Sequence, residues 1–257
     1  MKVLITGGNG YIARSLYAGL KDNHNITCIS RKDFDLTDYN QTFRWFGDKH
    51  FDVVIHTAVV GGLRTMVDDE SVVNRNLQMY YNLVALEDRF DRFITFGSGA
   101  EITMPWEPYG FSKRIIAESM KKREKYYNLR IRAVFDENEL DTRFIKGNIL
   151  RYINHEPIVI HQNKYMDFFY MKDLVSLVDF YVTEKDPILQ EVDCCYNYSL
   201  TLSEIANYIN TLDEHRVEIK IQSDGMGDTY TGQYRPVLSP LVGLVSGISE
   251  TYQRLKA

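Results

Sequence analysis

Val3-Leu4-Ile5-Thr6 is an uninterrupted apolar and β-branched run that ends in Gly7-Gly8-Asn9-Gly10, after which Ile12, Leu16 and Leu20 recur at four-residue spacing. A buried strand, a glycine turn and an amphipathic helix in that order form the first half of a βαβ unit. That commits the chain to parallel α/β construction. Gly7 suits a tight turn, and Gly10 lets backbone N–H groups approach a pyrophosphate. The positive end of the helix dipole faces the same phosphates. Ala13 stands where a third glycine would relieve helix–strand crowding. Gly7, Asn9, Gly10, Tyr11 and Ile12 are therefore the expected contacts of a dinucleotide, against the alternative of a purely structural turn.

The rest of the chain continues the alternation. Strands are expected at 26–30, 52–57, 92–96 and 129–134, and helices at 74–87 and 109–127, with Leu77, Tyr81 and Val84 on the apolar face of the first helix. Past Phe135 the pattern loosens. A helix at 144–154, strands at 157–160 and 195–198, a helix at 203–212 with Ser203 as N-cap, and a loop at 224–235 are expected. The expected architecture is a Rossmann-type doubly wound parallel sheet with a smaller C-terminal lobe. Its nucleotide-binding domain covers 1–135 and its mainly substrate-binding lobe 136–257, part of which returns to the sheet.

Composition narrows the function classes. Among 257 residues, 35 acidic and 30 basic side chains leave a net charge of −5, which gives no electrostatic footprint for nucleic acid. No apolar run reaches the roughly 18 residues that span a bilayer, and the N-terminus lacks the apolar core of a signal peptide. A cytoplasmic protein with no membrane partner is expected. Cys28, Cys194 and Cys195 are an odd set without CxxC spacing, and the six His show no HxxxH pattern. Free structural thiols and no metal site follow as expectations.

The second strand bears on cofactor type. NAD sites usually end it with an acid that accepts from the ribose 2′-hydroxyl, but here it reads Ile29-Ser30-Arg31-Lys32, with no acid before Asp33. Arg31, helped by Lys32 or Arg14, suits a 2′-phosphate. A solvated basic turn is the plainer alternative. NADP(H) is preferred on this reading, with NAD(H) possible. Asp35 either reaches the adenine amino group or caps a helix.

Tyr-x-x-x-Lys occurs four times, at Tyr17/Lys21, Tyr109/Lys113, Tyr181/Lys185 and Tyr252/Lys256, so the spacing alone decides nothing. Position selects Tyr109 and Lys113. They open a helix after the fourth strand, Ser98 lies just past that strand's C-terminal end, and ligands of open α/β sheets bind at that edge. A four-residue offset also puts Tyr109 and Lys113 on one helix face.

With these residues assembled, the sequence resembles the extended short-chain dehydrogenase/reductases, the NAD(P)-dependent epimerase/dehydratase family of nucleotide-sugar enzymes. The resemblance rests on Thr6-Gly7-Gly8-Asn9-Gly10-Tyr11-Ile12, Asp35-Leu36-Thr37-Asp38, His56-Thr57-Ala58, Asn76 with Asn82, Ser98 and Pro108-Tyr109-Gly110-Phe111-Ser112-Lys113. It continues through 167–173 and 201–205. It implies that Tyr109 is a general acid or base on a sugar oxygen, that Lys113 lowers the tyrosine pKa and binds the nicotinamide ribose, and that Ser98 hydrogen-bonds the reacting oxygen. It also implies that Leu36, Thr57, Ala58 and Val59 border the cofactor and that Asn76 orients the nearby helix. A buried core Tyr, a surface Lys and a loop Ser are the bland alternatives.

Subclasses of that family differ just after the serine. Dehydratases carry Asp and Glu there, whereas this chain has Gly99-Ala100. The overall pattern is similar to GDP-fucose synthase-like proteins, whose epimerising Cys and His correspond to Ala100 and Arg143 here. The resemblance therefore implies an NADPH-dependent C4 ketoreductase for a nucleoside-diphosphate 4-keto sugar, GDP-linked 6-deoxyhexose or heptose, without the epimerase acid/base pair. A redox-neutral 4-epimerase with tightly held NAD and a non-catalytic NADP-binding regulatory subunit are the alternatives. Asn138, Arg143, Arg151 and Arg235, with Lys164, are candidate contacts of the nucleotide sugar. A homodimer is expected through the 74–87 and Tyr109 helices, with Tyr80, Tyr81, Ile115, Ile116 and Met120 supplying apolar surface unless they face the chain's own sheet. Only ten residues separate Ser98 from Tyr109, which points to short substrate loops and to simple reduction.

Overall fold

The computed structural model describes residues 1–62, 67–185 and 189–257. It divides into two units, Met1–Arg130 with Val175–Val192, and Ile131–Leu174 with Asp193–Ala257. The expected cut at 135 lies a few residues beyond the first of these boundaries, and 175–192 is the stretch that rejoins the first unit.

In chain order the first unit contains β1 (Lys2–Thr6), α1 (Tyr11–Leu20), β2 (Asn25–Ile29), α2 (Tyr39–Phe46), β3 (Phe51–His56), α3 (Glu70–Val84), β4 (Phe90–Ser98), α4 (Ala100–Thr103), α5 (Pro108–Met120) and β5 (Tyr126–Ile131). Then come β6 (Val134–Phe135), α6 (Phe144–Ile153), β7 (Ile158–Asn163), β8 (Phe169–Tyr170), α7 (Met171–Thr183), β9 (Glu191–Asp193), α8 (Leu202–Ile209), β10 (Ile219–Met226) and α9 (Leu244–Lys256). A unit boundary falls inside α7.

The main sheet has the order β2-β1-β3-β4-β5-β9. β1 pairs in parallel with β2 and with β3, and β3 with β4, placing Val3 opposite both Ile26 and Val53. This is a Rossmann-type α/β arrangement in which the chain leaves β1 toward one side and returns on the other. A crevice at the carboxyl ends of β1 and β3 follows from that reversal. Behind it, Leu4, Val54 and Phe93 of the sheet pack with Phe46 of α2, Met79, Tyr80 and Leu83 of α3, and Ile116 and Met120 of α5. Each fully buried apolar side chain of this size contributes about 1.5–3 kcal/mol, which fixes the helices against the sheet.

The same core corrects several expectations. The buried face of α3 is Val72, Asn76, Met79, Tyr80, Leu83 and Val84, while Tyr81 is 43% exposed. Tyr80, Ile116 and Met120 thus face the chain's own sheet rather than a subunit surface. α5 ends at Met120, not near 127, because the Arg123 N–H closes a turn on the Met120 carbonyl and Tyr126 is needed in the core. The run 195–198 is not a strand, since the Cys195 N–H folds back to the Asp193 carbonyl.

In the second unit β7 pairs in parallel with β10, and β6 with β8. Ile145, Ile149 and Tyr152 of α6 are buried, as are Ile205 and Ile209 of α8 and Ile248 and Tyr252 of α9. α8 is capped by Thr201, not Ser203. The Thr201 hydroxyl accepts from the Glu204 N–H at 3.2 Å, while the Glu204 carboxylate accepts from the Thr201 N–H at 2.7 Å. The expected loop at 224–235 begins as the end of β10. Beyond it, buried carboxylates hold irregular backbone. Asp167 accepts from the Gly232 N–H and Asp193 from the Gln233 N–H, each at 2.7 Å. Asp173 accepts from the N–H groups of Val242 and Gly243 at 2.7 and 2.9 Å. No disulfide engages Cys28, Cys194 or Cys195, and no helix among the described residues is long and apolar enough to cross a membrane.

Candidate active site

The glycine turn is shaped by close approach. Gly7 has φ +70°, and a Cβ there would lie 2.8 Å from the Ala58 Cα and 2.9 Å from the Thr57 hydroxyl. The Thr57 hydroxyl donates to the Thr6 carbonyl at 2.6 Å, so the ends of β1 and β3 are stitched beside the turn. Gly10 is the N-cap of α1, which has no side-chain cap and no acid in its first turn. A helix end of that kind suits an anion. Tyr11 and Ile12 begin the helix, Asn9 is exposed in the turn, and Val59 is exposed beyond Ala58.

Past β2, the Asp33 carboxylate accepts from the Ser30 N–H at 2.8 Å and from the Ser30 hydroxyl at 3.1 Å. The first acid after the strand is thereby engaged locally. Arg31 and Lys32 are exposed beside it. Leu36 is buried, and the Asp35 carboxylate accepts from the Thr37 N–H and hydroxyl at 2.9 and 2.8 Å. The helix N-cap in this segment is Asp38 rather than Asp35. An uncapped helix end, a turn whose crowding excludes a Cβ, and a basic turn without a competing acid fit a dinucleotide carrying a 2′-phosphate.

Ser98, Tyr109 and Lys113 come from the end of β4 and the first turns of α5. Lys113 is 9% exposed and donates to the Phe96 carbonyl at 2.6 Å. Burial lowers its ammonium to about 8, with the Glu101 carboxylate pulling upward. Its Nζ lies 5.8 Å from the centre of the Tyr109 ring. Ser98 Oγ accepts from the Ala100 N–H at 3.2 Å, which leaves the hydroxyl proton for another acceptor. His56 lies on β3, where burial and then Lys113 push it down to about 3, so it is neutral and shares a 2.8 Å hydrogen bond with the Thr6 hydroxyl.

Other residues hold this group in place. Asn76 Oδ1 accepts from the Val60 N–H at 2.8 Å, and its Nδ2 donates to Ser112 Oγ at 3.0 Å, joining α3 to α5. Gly62, at φ +74°, passes over Tyr109 so closely that a Cβ would stand 2.8 Å from the ring Cζ. Glu101 is 5% exposed and pairs with Arg130. Glu101, Arg130 and Gly62 were not singled out in the sequence. The signals were a lone acid three residues after Ser98 and a Gly61-Gly62 pair.

The substrate-contact candidates lie in the second unit. Arg143 is the N-cap residue of α6, close enough to Glu139 to draw down a carboxyl that burial has raised to about 8. Arg151 sits two turns further along α6, about 12 Å by helix rise, and pairs with Glu156 at 3.6 Å. Asn138 donates its N–H to the Asp136 carboxylate at 2.8 Å. Arg235 is exposed, and Lys164 lies 6.0 Å from the centre of the Tyr230 ring. Arg143 and Arg151 are thus separate features of one helix.

A model of the NAD-dependent epimerase/dehydratase family matches residues 3–193. The chain belongs to that family. No curated protein matches its sequence significantly. Among solved structures, a GDP-mannoheptose C4 reductase from Campylobacter jejuni with NADP bound is 14% identical, with a TM-score of 0.80 over 100% of this chain and 98% of that one. A GDP-L-fucose synthetase from Naegleria fowleri bound to NADP is 17% identical, with a TM-score of 0.74 over 98% and 91%. A UDP-glucose 4-epimerase from Thermotoga maritima with UDP-glucose is 16% identical, with a TM-score of 0.78 over 100% and 99%. At these identities the likeness is one of fold.

Proposed function

We propose that this family member is an NADPH-dependent C4 ketoreductase acting on a nucleoside-diphosphate 4-keto sugar, GDP-linked 6-deoxyhexose or heptose. The observation that carries the reading is the turn after β4. Ser98 is followed by Gly99 and Ala100, which have no acid or base, and the carboxylate of Glu101 is turned into a buried pair with Arg130. The turn can steady an oxygen, but it cannot eliminate water or invert a neighbouring carbon. The GDP-heptose reductase and GDP-fucose synthetase folds are compatible with this choice of substrate class.

NADPH, when bound, supplies hydride to the C4 carbonyl carbon. Gly7, Asn9, Gly10, Tyr11 and Ile12 would cradle its pyrophosphate, Arg31 its 2′-phosphate, and Asp35, Leu36, Thr57, Ala58 and Val59 its adenosine and ribose edges. Tyr109 donates the phenolic proton to the carbonyl oxygen as it becomes an alcohol, and regains a proton from solvent. The Lys113 cation favours the phenolate left behind and would hold the nicotinamide ribose. Ser98 donates its free proton to the same oxygen and stabilises charge developing there. Asn138, Arg143, Arg151 and Arg235 are proposed contacts of the nucleotide sugar.

Loss of NADPH absorbance with freshly generated 4-keto nucleotide sugars tests the reading. No oxidation with any of a GDP-, UDP- and dTDP-linked panel, by protein that binds NADPH, overturns it. A redox-neutral 4-epimerase needs only Ser98, Tyr109 and Lys113. Firmly held NAD released on denaturation would favour that activity instead. A homodimer remains part of the proposal, with Tyr81 and Phe111 as its exposed apolar side chains on α3 and α5, and sedimentation equilibrium reads it directly.

A further inference from the structure

Beneath Ser98 and Lys113 lies a buried ionic layer that the reaction itself does not require. Glu101 Oε2 accepts from the Ser98 N–H at 3.3 Å. Oε1 accepts from the Arg130 Nε and, at 3.3 Å, from Asn128 Nδ2. Arg130 Nη2 lies 3.6 Å from the Glu191 carboxylate on β9. Gly97 makes room for the layer, since a Cβ there would lie 2.8 Å from Glu101 Oε2 and 2.5 Å from Asn128 Oδ1. A buried carboxylate is expensive unless paired, and a fold needing only a short helix after β4 has no use for one.

We propose that Glu101 is a positioning residue for the candidate site, fixing the Ser98 backbone and supplying the negative charge against which Lys113 remains a cation. The proposal rests on the ketoreductase reading for the role of Lys113. The groups facing Lys113 are His56 of β3, which is neutral, Glu101 of α4, and Tyr109 of its own helix, with Arg130 of β5 and Glu191 of β9 lying behind Glu101. Lys113 Nζ is held on the Phe96 carbonyl at 2.6 Å, and Glu101 Oε2 lies against Gly97, the next residue, so Glu101 is the carboxylate placed beside the ammonium. Burial raises the Glu101 carboxyl above its ordinary range, and Arg130 opposes that shift more than any other group. Without a carboxylate at 101, burial alone would act on Lys113, and less of it would be charged near neutrality.

The test is a pH titration of the lysine side-chain 15N resonances in the full chain, with the Lys113 signal assigned by Lys113→Arg. Glu101→Gln should lower the Lys113 midpoint by about one pH unit, the lower end of the shift produced by a nearby opposite charge. The alkaline limb of kcat/KM for 4-keto sugar reduction should move down with it. Glu101→Asp keeps the charge and should hold the midpoint near that of the parent. If Glu101→Gln does not fold, the double variant Glu101→Gln, Arg130→Gln replaces the buried pair with two amides and gives the same readout. An unmoved Lys113 midpoint in the folded variant overturns the proposal and leaves Glu101 a purely structural residue. Absence of NADPH oxidation by the parent would overturn the ketoreductase reading instead, and the NMR titration is independent of that result.

Discussion

The backbone of Gly62 lies against the ring of Tyr109, with room for hydrogen but not for a methyl group, since a Cβ would be 2.8 Å from the phenol Cζ. Gly62→Ala should therefore displace the ring as well as strain a residue at φ +74°. We expect kcat to fall roughly 10- to 100-fold, as for other small misplacements of a reacting group. NADPH affinity, read by fluorescence titration, should stay close to that of the parent. An unchanged kcat would show that Tyr109 is not the reacting group.

Lys113 is expected to influence both stability and the pH limit of activity. An unfolded lysine titrates near 10.4, while burial brings this one to about 8. The unfolded state therefore binds more protons between these values, and stability rises with pH across that window. Below about 8 the buried charge carries its full penalty. Lys113→Met should stabilise the protein at pH 7 by about 3 kcal/mol in urea melts, an order-of-magnitude figure from the same linkage. It should also abolish reduction. The parent should lose activity above about pH 8 as the ammonium is lost.

Arg31 is the residue proposed to separate the two cofactors. Arg31→Ala should weaken NADPH about 10- to 100-fold, the scale of one charge-assisted phosphate contact, and leave NADH almost unchanged. Equal losses for both would assign the basic turn to solvent.

Thr201 and Ser203 give a paired test of the second unit. Thr201→Ala removes a reciprocal cap and should cost about 1 kcal/mol. Ser203→Ala should be nearly neutral, because the Ser203 hydroxyl is buried without a hydrogen-bond partner. Thermal denaturation distinguishes them, and the reverse order would refute the cap.

The contrast between these two residues shows what a single sequence conveys. Both are plausible caps by type, and only the Glu three residues after Thr201 discriminates them. β1, its glycine turn and α1 were legible because each signal is local and the three agree. The overlong helix after Tyr109 was not, because Lys121-Lys122-Arg123-Glu124-Lys125 are good helix formers and only the burial of Tyr126 in the sheet ends the helix. The face of α3 is ambiguous in the sequence because Tyr80 and Tyr81 look alike until one packs on Phe93. Ser98, Tyr109 and Lys113 are candidates through position and family pattern. Glu101 and Arg130 stayed hidden because their pairing spans 29 positions and no spacing rule links them.

Asp167, Asp193 and Asp173 accept hydrogen bonds from four amides in a stretch that belongs to no helix or strand. That arrangement has a consequence in time rather than in space. In deuterated buffer the amides of Gly232, Gln233, Val242 and Gly243 should exchange as slowly as those of the neighbouring helices, while the exposed amides between them exchange within seconds. A segment that looks irregular by backbone geometry would then carry a fixed pattern of slow and fast sites, set by three carboxylates.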